Sequence, residues 1–272
     1  DIHTEDAALI LNGRRIPVTQ TADVQDLNVH DADILLECTG KMRRQADAQA
    51  ALTQGVRDVL ISGPCDATVP TVVIGANDDN LGAHRVVSNA SCTTHAIAPL
   101  LALIDAQFGI TAGHVTTVHC YTNSQPLVDG PRATPARSRA AAQSMIPTTT
   151  SATQVVSLVL PRLAGRLTGA ALRVPTMSVS CIDAVVSLSR AVPDAAQTLR
   201  AAVADSPVIA WTEDPLVSVD LRGHPASLIV AGPEFMQPSP DQIRVFGWYD
   251  NEWGFSARML DMARRMSARP SS

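Results

Sequence analysis

At 272 residues the chain is long enough for one large core or for two domains. Its 46% hydrophobic and 17% charged content is ordinary for a globular protein, and a net charge of -5 leaves no basic footprint, which argues against nucleic-acid binding as a main role. No apolar run reaches the roughly 18 residues that a membrane span needs, and the start Asp1-Ile2-His3-Thr4 is neither basic nor apolar as a secretory signal would be.

The first ninety or so residues read as the back part of an α/β unit. Asp33-Ile34-Leu35-Leu36 is a short apolar run ending at Thr39-Gly40, and residues 43–56, rich in Ala and Gln, predict a helix. Val59-Leu60-Ile61-Ser62 and Thr71-Val72-Val73-Ile74 predict two further buried strands. Continuous apolar runs alternating with helices point to a parallel sheet covered on both faces. Val86-Val87-Ser88-Asn89 then predicts a strand leading into a turn at Cys92. Ile97, Leu100, Leu101, Ile104 and Phe108 fall at helical spacing on one face, with Gly109 as the stop, Ser91 or a neighbouring hydroxyl as the cap, and Pro99 removing one donor inside.

Residues 120–151 have little periodicity and read as a long ordered loop that ends in a Pro-Thr-Thr-Thr turn. Beyond it, Val155 to Leu163 predicts a helix. Arg173 to Ser189, Ala226 to Ala231 and Ile243 to Phe246 have strand character. Phe255, Met259, Met262, Ala263 and Met266 line one face of a final helix.

Two residues carry the chemistry most directly. Cys92, in Ser91-Cys92-Thr93-Thr94, is a thiol among small polar residues at a predicted helix start, where free amides and the helix dipole favour a thiolate and could bind an oxyanion. His119 follows Val115-Thr116-Thr117-Val118 and becomes a base for that thiol if folding brings the two together; the imidazole would then lower the thiol pKa. A free cysteine or a lone histidine is more often simply packed in a core. Arg137, Arg139 and Arg173 offer paired donors suited to phosphate, and Thr93, Thr122 and Thr150 offer hydroxyls. The five cysteines, Cys38, Cys65, Cys92, Cys120 and Cys181, form no Cys-x-x-Cys, which argues for reduced thiols in a cytoplasmic protein and against a zinc site. Among the 15 glycines no two stand two apart, so no Gly-x-Gly phosphate loop is present.

Taken together these strings resemble the glyceraldehyde-3-phosphate dehydrogenase family, which includes erythrose-4-phosphate dehydrogenase. The match runs through Ser88-Asn89-Ala90-Ser91-Cys92-Thr93-Thr94, Thr116-Thr117-Val118-His119, Arg139-Ala140-Ala141-Ala142, Ile146-Pro147-Thr148-Thr149-Thr150, Leu172-Arg173-Val174-Pro175-Thr176 and Trp248-Tyr249-Asp250-Asn251-Glu252. They stand in family order at family-like spacing over essentially the whole chain. The resemblance implies an α/β fold: an incomplete Rossmann-type dinucleotide-binding domain over 1–91, an α+β catalytic domain with a mixed or antiparallel sheet over 92–250, and a carboxy-terminal helix, 251–272, returning to the first domain. It implies Cys92 as the nucleophile that forms a hemithioacetal and then a thioester, and His119 as its base. Thr122 and Arg173 match the substrate-phosphate site. Ser91, Thr93, Thr150 and Arg137 lie at or near the site of inorganic phosphate. Thr39, Gly40 and Ser62 match cofactor contacts, Asn251 matches the residue that fixes the nicotinamide carboxamide, and Pro131 resembles the NAD-preferring form of the long loop. The implied cofactor is NAD and the implied partners are a small sugar phosphate and inorganic phosphate. The implied assembly is a cytoplasmic homotetramer, with no metal, nucleic acid or membrane.

The departures are also specific. The family's first strand, glycine-rich turn and acidic ribose ligand have no counterpart, so the chain is expected to begin well inside the dinucleotide domain. His95 and Ala96 replace a usual Asn and Cys, Ser124 a common Asp, Ser151 a common Gly and Phe255 a common Tyr. Trp253-Gly254-Phe255 is closer to the erythrose-4-phosphate branch, in which water cleaves the thioester. Thr122 and Pro147-Thr148-Thr149-Thr150 are closer to the glyceraldehyde-3-phosphate branch. A truncated, catalytically inactive homologue and a cofactor-free thiol hydrolase are the remaining alternatives.

Overall fold

A computed structural model describes residues 1–29 and 32–269. The chain opens with three short antiparallel strands, β1 (Ile2–Glu5), β2 (Ala8–Leu11) and β3 (Arg14–Pro17). The expected α/β unit therefore starts only after them. Their tight turns use positive φ at Asp6 and Ala7, then at Asn12 and Gly13, the backbone that a two-residue hairpin demands. Ala8 is the one buried residue among these strands, so apolar patterning gave little sign of them.

A parallel sheet follows in the order β4 (Ile34–Glu37), β5 (Asp58–Ile61), β6 (Val86–Ser88), with α1 (Gln45–Thr53) crossing between the first two. Val59, Ile61 and Val86 pack with Ala48 and Ala51 of α1 in one core. The expected helix over 43–56 is thus real but shorter. The expected strand at Thr71–Ile74 is not formed: Thr71 makes only an isolated bridge to Ser88. Asn77 explains this, since its side chain accepts from Val73 N at 2.8 Å and donates to Thr71 O at 2.9 Å, taking groups a ladder would need.

Helix α2 (Cys92–Phe108) leads into β7 (Ile110–Cys120). The expected apolar face is buried throughout: Leu100, Leu101 and Ile104 are fully inside and Ile97 and Phe108 nearly so. Gly109 caps the helix at φ 71°, a conformation only glycine adopts without strain. Pro99 is accommodated within α2, which continues past it. Because Leu101 sits in the shared core with no exposure, Leu101→Ala should cost about 2–5 kcal/mol, read as a lower midpoint in urea unfolding with an unchanged slope.

The remaining strands are β8 (Ile146–Thr148), β9 (Leu167–Val174), β10 (Ser180–Leu188), β11 (Ile209–Thr212), β12 (Leu228–Ala231), β13 (Met236–Ser239) and β14 (Gln242–Tyr249). With β7 they form one mixed sheet, ordered β11-β12-β14-β10-β7-β9-β8, with β13 beside β14. The long loop of 120–151 thus ends in an edge strand, and the strand-like stretch 173–189 divides into β9 and β10 around a turn at Pro175–Val179. Helices α3 (Ala152–Val159) and α4 (Ala195–Ala204) cover this sheet together with α2. The carboxy-terminal α5 (Trp253–Ser267) buries Met259, Met262 and Met266 and packs back on β4 and β5. Among the described residues no helix is long and apolar enough to cross a membrane.

Candidate active site

The site forms where the amino terminus of α2 meets the end of β7. Ser91 caps α2 as expected, its hydroxyl accepting from Thr94 N at 3.2 Å, so Cys92 becomes the first helical residue. Ala90, just before the cap, is held at φ 54°, a backbone an L-residue adopts only when its surroundings impose it. On β7 the period-two alternation sends Val115, Thr117 and His119 toward α2. The result is that Cys92 Sγ and His119 Nε2 lie 3.6 Å apart across 27 residues of sequence.

Arg173 arrives by register. Strand β9 runs parallel to β7 with Arg173 opposite His119, and β8 runs antiparallel to β9 with Ile146 opposite Arg173. Arg173 Nη1 is 2.7 Å from His119 Nδ1 and 3.0 Å from Cys120 O, while Nδ1 is itself 2.7 Å from Cys120 O. With its proton on Nδ1 the imidazole donates to the Cys120 carbonyl and turns the Nε2 lone pair toward the thiol. With its proton on Nε2 it accepts from Arg173 instead. Nδ1 has a partner in both tautomers, so a proton can reach Nε2 without stranding the other nitrogen.

Burial pushes the Cys92 thiol up, opposed by the Thr93 hydrogen bonds and by Arg173. Burial, then the positive charge of Arg173, push His119 down to about 4. Both act against charge separation, so the free site rests as thiol and neutral imidazole. The lowered thiol pKa expected from the sequence is therefore not the resting condition here, because desolvation outweighs the neighbouring dipoles and charge.

The other expected site residues divide by position. Thr93 is buried and its hydroxyl bonds Tyr249 OH at 2.9 Å, and Tyr249 OH bonds Thr117 Oγ1 at 2.9 Å, so this hydroxyl props the site from behind. Thr122 Oγ1 pairs with Ser124 Oγ at 2.9 Å. Arg137 reaches Thr148 Oγ1 at 2.6 Å and Thr149 Oγ1 at 2.8 Å, the two threonines before Thr150, whose own hydroxyl accepts from Ala152 N. Arg139 is an exposed ion pair with Asp129. Thr39, Gly40 and Ser62 stand just past the ends of β4 and β5, with Thr39 N held by Glu37. Asn251, half-buried after β14, accepts at Oδ1 from Cys120 Sγ at 3.1 Å and from Ser180 Oγ at 3.2 Å. Cys120, Ser180, Thr117 and Tyr249 went unassigned in the sequence, because their relevance lies in cross-strand pairing that no local pattern encodes.

Known proteins resemble this chain in sequence along most of its length. Residues 91–251 match the family model described as glyceraldehyde 3-phosphate dehydrogenase, C-terminal domain. The chain is 42% identical over 273 residues to a glyceraldehyde-3-phosphate dehydrogenase of Pseudomonas aeruginosa, covering 98% of this chain and 81% of that one. It is 41% identical over 276 residues to the enzyme of that name from Kitasatospora aureofaciens, with 98% and 83% covered. Against glyceraldehyde-3-phosphate dehydrogenase 2 of Bacillus subtilis it is 39% identical over 275 residues, with 96% and 79% covered.

Proposed function

The chain belongs to the glyceraldehyde-3-phosphate dehydrogenase family, and from that premise we propose that it oxidises glyceraldehyde 3-phosphate with NAD and inorganic phosphate through a thioester on Cys92. The observation that carries this reading is the 3.6 Å approach of Cys92 Sγ to His119 Nε2, with Arg173 beside the ring. Sγ adds to the aldehyde carbon while its proton passes to Nε2 and on to the carbonyl oxygen, giving a hemithioacetal and returning Nε2 to its neutral form. Nε2 then accepts the hydroxyl proton as the carbon is oxidised to the thioester. Inorganic phosphate attacks the thioester carbon, the C–S bond breaks, and the sulfur leaves as thiolate and takes the proton held on Nε2, which restores both groups.

Arg173 and Thr122 hold the phosphate of the substrate in this reading. In the same reading Arg137 receives the attacking phosphate together with Ser91, Thr93 and Thr150, and its present bonds to Thr148 and Thr149, beside Thr150, turn its guanidinium toward hydroxyls. The residues present fit the nicotinamide end of a dinucleotide. The buried Asn89, next to the Cys92 turn, has no partner for either amide atom, and the ends of β4, β5 and β6 lie side by side as in sheets that bind dinucleotides. Thr39, Gly40, Ser62 and Asn251 would hold that cofactor, which when bound would accept a hydride, one proton with two electrons, from the hemithioacetal carbon. Beside β4 a cavity of about 490 Å³ is lined by Glu37, Thr39, Lys41 and Thr21. We also infer a dinucleotide-binding part over 1–91, a catalytic part over 92–250 and a returning helix over 251–272. We infer a cytoplasmic homotetramer as well, the cytoplasm being supported by five unpaired cysteines.

The test is NADH formation, followed by absorbance, from purified protein with glyceraldehyde 3-phosphate, NAD and phosphate. No NADH from this aldehyde rejects the reading. Faster turnover of erythrose 4-phosphate without any phosphate requirement would move the assignment to the hydrolytic branch. Arg173→Gln should raise KM for the sugar phosphate about 10- to 100-fold, since a charge-assisted hydrogen bond contributes roughly 1.5–3 kcal/mol. An unchanged KM would remove Arg173 from the substrate site.

A further inference from the structure

Cys120 stands between the catalytic pair and Asn251 without belonging to either. Its carbonyl receives His119 and Arg173, its amide donates to Ser180 Oγ at 3.2 Å, and its thiol lies 3.1 Å from Asn251 Oδ1. A longer contact of 3.8 Å joins Sγ to His119 Nδ1. Ser180 Oγ, already accepting from Cys120 N, spends its own proton on the same Asn251 oxygen. Val179, directly before Ser180, sits at φ 64°, a genuine outlier for a β-branched residue.

We propose that Cys120 is a positioning residue: its S–H, together with the Ser180 hydroxyl, locks the Asn251 side chain with its oxygen inward and its NH2 outward. Two donors converge on one oxygen; the flipped amide would replace those two bonds by one to the remaining Ser180 lone pair and one to sulfur, a weak acceptor, so the oxygen-inward arrangement is favoured. The outward Asn251 Nδ2 has no hydrogen-bond partner among the described residues and is not sealed from solvent, so it is free to meet a ligand. Cys120 is 1% exposed, and burial pushes its thiol up, which keeps the proton the lock requires. The ligand assigned to that NH2 is the carboxamide of the nicotinamide cofactor, and to that extent the proposal rests on the function proposed above.

The test compares the full chain with Cys120→Ala, Cys120→Ser, Asn251→Ala and the Cys120→Ala/Asn251→Ala double variant, after thermal unfolding has shown each to be folded. NAD affinity is measured by calorimetry, and the order of the Asn251 side-chain amide by 15N relaxation. Cys120→Ala should weaken NAD binding about fivefold, Cys120→Ser should stay within about twofold of the parent, and the alanine effect should vanish on the Asn251→Ala background. Equal affinity in Cys120→Ala, or an undiminished effect without Asn251, overturns the proposal. If the parent binds no NAD, the cofactor reading fails on its own and the relaxation data decide. An Asn251 amide rigid in the parent and in Cys120→Ser but mobile in Cys120→Ala upholds the lock, whereas equal order in all three overturns it.

Discussion

Cys92→Ala should abolish NADH formation from glyceraldehyde 3-phosphate, lowering kcat on the order of 10⁴-fold or more, while the protein stays folded. The size follows from the sulfur's role: both covalent intermediates of the proposed cycle are bonded to Sγ, and deleting a covalent nucleophile leaves only binding and orientation. The retained fold follows from its place in the helix. Cys92 is the first residue of α2, Ala is the best helix former, and the cap belongs to Ser91, so the change should move stability by no more than about 1 kcal/mol. Initial rates and thermal unfolding on one preparation check both halves. Residual activity within tenfold of the parent would mean that chemistry does not pass through this thiol.

His119→Gln should lower kcat about 10²- to 10⁴-fold, the range for a positioned acid–base group, with Cys92 still present. It also predicts a pH effect whose sign can be worked out. In the folded chain His119 titrates at about 4, below its ordinary 6.5. Between those values the unfolded chain binds the extra proton and the native chain does not, so stability rises with pH through that window. The contribution is fully present above 6.5 and is lost as pH falls toward 4, on the order of 3 kcal/mol for the buried ring. His95, buried with its pKa also pushed down to about 4, adds a loss of the same sign in both proteins. The comparison must therefore be the difference: from pH 7 to pH 4 the parent should lose more unfolding free energy than His119→Gln. Parallel curves would show that the imidazole is not held neutral by its surroundings. The acid limb of kcat/KM near pH 4 should likewise disappear in the variant.

How far the sequence could be read depended on whether the determining contacts were local. Helix α2 was fully legible. Its apolar spacing, the Ser91 cap and the Gly109 stop all act within a few residues, and all appear in the structure. The opening three strands were not, because nearly all their residues face solvent and carry no alternating apolar signal. Thr71–Ile74 misled because a strand-like run says nothing of Asn77, whose amide takes its backbone partners. The final strand was legible in part: Ile243–Phe246 read as extended, but its true reach to Tyr249 depends on pairing with β10. For the site, residue types and order were visible, and the resemblance supplied roles for them. Their juxtaposition was not, since Cys92, His119 and Arg173 meet only through the packing of α2 on β7 and the parallel seating of β9. Cys120 shows the limit most clearly: by composition it is one of five dispersed thiols, and only its neighbours across β10 and after β14 distinguish it.

The parallel seating of β9 on β7 has a kinetic consequence. Cys92 and His119 can approach as soon as α2 packs on β7, which closes a short stretch of chain. Arg173 joins them only after a crossover of some length, and parallel pairings of that kind form late because loop closure must precede the contacts that reward it. The sulfur is therefore expected to meet its imidazole before it acquires its cationic neighbour. During refolding, the rate at which a small alkylating reagent captures residue 92 should change in two steps, first as α2 packs on β7 and again as β9 takes its place beside it.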